Sequence, residues 1–185
     1  MDEGADSDHS TETTFQTQQN VANDRRSIMK FDVSAHASAD VSAATISMYC
    51  TDSSGAQTGT WTLRRIVRTT WAPTTVDWLN YNGGTWTTAG AGHNGDDHSS
   101  TNQLTGTFPA NQDLIGWYDF GNISSLVTDA IDNRSGILHL SLTLTQNRTT
   151  VWSWASTSHA TISGPKLFLR VPSLAGEAQL ILEEG

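Results

Sequence analysis

The chain has 185 residues, enough for one domain that buries a core without covalent staples. Serine and threonine supply 46 of the 185 residues and only 16% are charged, a balance that leans toward strands. The net charge of -9 opposes nucleic acid and anionic membrane as partners, and no run approaches the roughly 20 apolar residues of a membrane-spanning helix.

In chain order, residues 1–26 are polar, with a strand predicted near Thr14–Gln18. Arg26–Ser34 alternates, with Met29, Phe31 and Val33 on one face and Ile28, Lys30 and Asp32 on the other, the pattern of a strand with one buried face. Thr45–Thr51 alternates again and holds Cys50, the single cysteine, which reads as a small buried hydrophobe. Thr60–Arg68 is a third strand. Beyond it Pro73 breaks the ladder, "NYNGG" is turn chemistry, and "GHNGDDHSSTNQ" (Gly92–Gln103) reads as a glycine-rich, charged loop. Trp117–Ser124 is another short strand. Ile123, Leu126, Val127, Ala130 and Ile131 then form one apolar helical stripe, with Ser124 or Ser125 to cap its start and Gly136 to end it. "ILHLSLTLT", "TTVWSWAS" and "PKLFLRV" close the chain as strands, with His139 exposed opposite the leucines and Trp152 and Trp154 on one core-facing side. Short strands at regular spacing with one helix predict an all-β fold, an antiparallel jelly-roll β-sandwich with one short helix, over residues 1–171. From Pro172 the composition changes. Residues 172–185 read as a C-terminal extension whose Leu180, Ile181 and Leu182 either fold back on their own domain or contact a neighbouring subunit.

Five stretches stand in a telling order: "RRSIMKFDVS", "ATISMYC", "TLRRIVRTTWAPTTVDWLNYNGGTWTTAGAG", "YDFGNISSLVTDAIDNRSGILHLSL" and "VWSWASTSHATISGPKLFLRV". Together they resemble the DNRLRE family, which includes disaggregatase-related repeats and alginate-binding carbohydrate modules. The resemblance covers roughly residues 5–171 and implies a β-sandwich without catalysis. The family is spread over secreted surface proteins, carbohydrate-associated proteins and phage structural proteins, so fold leaves function open.

The residues themselves point away from catalysis. A Ser–His–Asp set can be picked from any chain with 20 serines and 6 histidines, while a Gly-x-Ser-x-Gly elbow and paired carboxylates are both missing. No cofactor is expected, apart from an ion: His93, Asp96 and His98 in "HNGDDH" offer ligands for Zn²⁺ or Ca²⁺, and Asp6 and Asp8 offer a place for a structural Ca²⁺ by analogy with jelly-roll modules. Four of the seven tryptophans lie between Thr60 and Gly90. Trp61, Trp71 and Trp78 are assigned to the fold. Tyr81 and Trp86, flanking the "NGG" turn, are the candidate sugar platform, with Asn80 and Asn82 to bond hydroxyls. Arg64 and Arg68 share a face that suits an anionic glycan or simply solvent, and Arg65 takes the other face.

Two functions follow. With no leader in "MDEGADSDHSTETT", the chain is expected to be a non-catalytic structural protein of a virion surface, made in a host cytoplasm. Its partners would be capsid or tail proteins and further copies of itself, as a homo-oligomer. The alternative is a carbohydrate-binding module that recognises a polysaccharide such as an anionic glycan.

Overall fold

Alternating side chains sort the chain into two antiparallel sheets in the structure, a computed structural model. It describes residues 14–18, 25–53, 59–71, 80–81, 84–89, 91–92, 94–108, 115–144, 151–173 and 176–183. The strands are β1 (Thr14–Thr17), β2 (Ser27–Asp32), β3 (Ala43–Asp52), β4 (Gly59–Ile66), β5 (Asn80–Tyr81), β6 (Gly84–Thr85), β7 (His98–Phe108), β8 (Gly116–Asn122), β9 (Ile137–Leu144), β10 (Trp152–Ala155), β11 (Lys166–Ser173) and β12 (Gly176–Glu183), with helix α1 (Ser124–Asn133) between β8 and β9.

One sheet runs β2–β9–β4–β7. The other is centred on β3. Its first edge pairs with β8, and its second edge takes β10 near Cys50 and β11 from Ala43 to Ser47. β1 flanks β10, and β12 flanks β11. Inward residues follow the period of two: Met29 and Phe31 on β2, Ala44, Ile46, Met48 and Cys50 on β3, and Leu138, Leu140, Leu142 and Leu144 on β9 are all buried. Between the sheets Phe108 stacks on Trp152 at 4.2 Å, and Trp61 meets Phe120 edge-on at 5.1 Å. The sandwich, with one α-helix among the described residues, matches the fold class expected from the sequence.

The sequence-based expectations need three corrections. The polar stretch read as a loop becomes a strand from His98 onward. β7 is an edge strand held to β4 by backbone pairing, so most of its side chains face solvent and carry no apolar alternation. Its Gly106 lies against the Trp61 ring, where a Cβ would come within 2.2 Å of the indole. The cap of α1 comes from Asn122, whose Oδ1 accepts from the Ser124 amide at 3.0 Å, and not from Ser124 or Ser125. Gly136 does end the helix, at φ +76, with its amide donating to the Ala130 carbonyl. Finally, His139 is only 5% exposed.

That burial has a structural cause. The segment after β4 folds over the outer face of the β2–β9–β4–β7 sheet. There Ile66, Trp71, Trp86 and Ala91 form a second core, joined by Ile28 and Tyr81. Trp71 lies 5.5 Å from the His139 ring. The opposite outer face, that of β8, β3 and β11, carries no such roof among the described residues.

After Val171 the chain turns back on itself: β12 pairs with β11 from Lys166↔Glu183 to Ser173↔Gly176. Leu182 packs against the main core, while Ile181 stays 50% exposed.

Candidate functional site

The residues expected to form a sugar platform come together at the edge of the tryptophan roof. β5 and β6 pair as a minimal hairpin, Asn80↔Thr85 and Tyr81↔Gly84, which presents Tyr81 to Trp86 at 5.1 Å. Trp86 was expected to be exposed and is 4% exposed, because it fills the second core. Tyr81 is half-buried. It packs on Trp86, and the Arg68 guanidinium lies over its ring at 5.5 Å. The corner is therefore satisfied from within, and its rings serve mainly to brace the roof.

Asp97 organises this corner from beneath. Its carboxylate is fully buried and accepts from the amides of Thr87 and Thr88, each at 2.9 Å. Arg68 Nε stands 3.9 Å from the same carboxylate, and its Nη2 donates to Thr87 Oγ1 at 3.5 Å. No sequence signal marked Asp97 apart from its neighbour Asp96, because only the folded backbone distinguishes the buried carboxylate from the exposed one. Arg64 Nε donates to Gln103 Oε1 at 3.0 Å, and Arg65 pairs with Asp129 of α1 at 2.6 Å. The two arginines do diverge as the alternation implied, and Arg65 ties the helix to the sheet.

The metal candidates do not assemble into a described site. Asp96 is exposed, and His98 is buried with Nδ1 at 2.9 Å from the Ala91 carbonyl, which places its proton on Nδ1. Burial lowers the His98 pKa below its usual range. His93, Asp6, Asp8, Asn82 and Trp78 lie outside the described residues, as do the side chains of Asn80 and Leu180. Among the described residues no three His, Cys, Asp or Glu side chains converge to hold a metal.

The most exposed aromatic ring among the described residues lies on the other face of the molecule. Trp117 on β8 is 48% exposed, and sequence reading gave it only a strand position. It stands opposite Tyr49 in register, with the two rings edge-on at 5.6 Å and 87°. Beside it an open groove of about 590 Å³ crosses the outer face of β8, β3 and β11, lined among others by Ser47, Asp119, Lys166, Phe168 and Arg170. Its position follows from the two-residue period: Phe120 and Leu167 point into the core, so Trp117, Asp119, Lys166 and Phe168 point out. A signal was present in "IGWYDF", where Trp117 falls on the face opposite Phe120, but only the pairing with β3 and β11 shows that the face is open.

The sandwich fold agrees with what comparison of the sequence shows. No curated protein matches the chain. The family model for carbohydrate-binding module family 96 matches residues 2–171, all but the first residue and the segment that begins at Pro172. The match bears on the carbohydrate-module side of the resemblance drawn above. The chain belongs to carbohydrate-binding module family 96.

Proposed function

We propose that this protein is a non-catalytic carbohydrate-binding module that holds a polysaccharide. The family match over residues 2–171 carries the reading. The sandwich supports it, since among the described residues one outer face is open, with an aromatic ring and hydrogen-bonding side chains upon it. The structural virion reading, with its capsid or tail partners and oligomer contacts, draws no support from that match, so polysaccharide recognition is the function favoured here.

The test is native affinity electrophoresis of the whole chain through gels containing sodium alginate, polygalacturonate, xylan or laminarin. Retardation by at least one polymer, with no new reducing ends or unsaturated products released from it, is the expected result. Equal mobility in every gel would remove the reading.

A further inference from the structure

We propose that the polysaccharide lies in the groove across β8, β3 and β11, with one sugar ring stacked on Trp117, and not on the Tyr81–Trp86 corner. This location rests on the carbohydrate-binding reading and deepens it. Each site carries a cation over one ring, and the two differ in how much ring is exposed. At the corner, Trp86 is in the core and Tyr81 packs between Trp86 and the Arg68 guanidinium. Trp117 is 48% exposed and is braced by the edge-on Tyr49 ring, which limits the side-chain ordering left to be done on binding.

A pyranose presents C–H faces and a rim of hydroxyl groups. It needs an apolar floor flanked by both acceptors and donors. The groove supplies Trp117 and Phe168 as floor, Asp119 as acceptor, and Lys166 and Arg170 as donors. Neighbouring strands lie about 4.8 Å apart, so β8 to β11 spans about 10 Å, the reach of a disaccharide laid across the strands. An open groove takes a stretch of chain and does not have to enclose a terminal sugar. The Lys166 ammonium rides over the Trp117 ring at 5.2 Å. An incoming sugar displaces that cation–π contact and moves the ammonium to the edge of the stack, where it donates to a hydroxyl.

The experiment compares the whole chain with Trp117→Ala, Trp117→Phe, Asp119→Asn and Tyr81→Leu in the same four polymer gels, with thermal midpoints measured for each. Trp117 and Asp119 are exposed, so variants at these two positions are expected to melt close to the parent. Trp117→Ala should weaken retardation at least tenfold, Trp117→Phe should retain most of it, and Asp119→Asn should weaken it several-fold. Parent retardation that survives both Trp117→Ala and Asp119→Asn overturns the site while leaving the carbohydrate-binding reading intact. Loss in Tyr81→Leu without loss in Trp117→Ala also overturns it, by moving the site to the corner. A parent that no polymer retards overturns both proposals together.

Discussion

Two buried side chains respond to solvent conditions in opposite senses. His139 lies beneath Trp71, and burial, aided by the Lys30 charge, lowers its pKa to about 4. The unfolded chain therefore binds this proton more readily than the folded one. Stability present at neutral pH should fall as pH drops below about 6.5 and level off below about 4, a loss of roughly 3 kcal/mol from this residue. Urea unfolding across that window, with His139→Leu giving a flatter profile, checks it; identical slopes for parent and variant would exclude His139 as the source. At Cys50 the direction reverses: desolvation pushes the thiol up to about 11, and its Sγ–H donates to the Asp52 carbonyl. A thiol reagent at pH 8 should leave the native protein unlabelled and modify it rapidly in denaturant, and prompt native labelling would contradict this burial.

At the scale of elements, the roof over the β2–β9–β4–β7 sheet depends on Asp97, and the β4–β7 pair depends on Gly106. Asp97→Ala strips the acceptor from the Thr87 and Thr88 amides and should cost about 1–3 kcal/mol. Hydrogen exchange should accelerate in residues 84–98 while the β2–β9 pair keeps its protection; uniform change across both would point to global loss instead. Gly106→Ala places a methyl group inside the Trp61 ring, whose stiff indole is itself packed on Phe120, so an overpacking cost of about 1–3 kcal/mol is expected as a lower denaturation midpoint. These elements also show where sequence was informative. Strands with alternating apolar side chains, such as β2, β3 and β9, were legible because the apolar set marks the side that faces the main core. β7 was not, because an edge strand with mostly exposed side chains carries its information in backbone hydrogen bonds. The α1 stripe was legible, whereas its cap was shifted to Asn122, outside the helix.

At the scale of the whole molecule, the family match ends at Val171 while the β-structure continues into β12. Deleting residues 174–185 should leave a folded sandwich but bare the backbone edge of β11 and remove Leu182 from the core. The expected outcome is a midpoint a few degrees lower and a larger assembly than the parent on size-exclusion chromatography; an unchanged midpoint and elution volume would show that β12 contributes neither. Sandwich architecture was readable from sequence, but which outer face is covered was not. Tyr81 and Trp86 drew the eye as aromatics among turn residues, yet whether such rings are roof or surface depends on which sheet the segment covers, and that is set by long-range pairing. The same asymmetry gives the protein a built-in optical probe. Of the described tryptophans, Trp61, Trp71, Trp86, Trp152 and Trp154 are buried, and Trp117 alone is substantially solvated. Its emission should lie to the red of theirs and be the fraction that acrylamide quenches first, so occupancy of the groove is readable from the unlabelled protein as a blue shift with lost quenching.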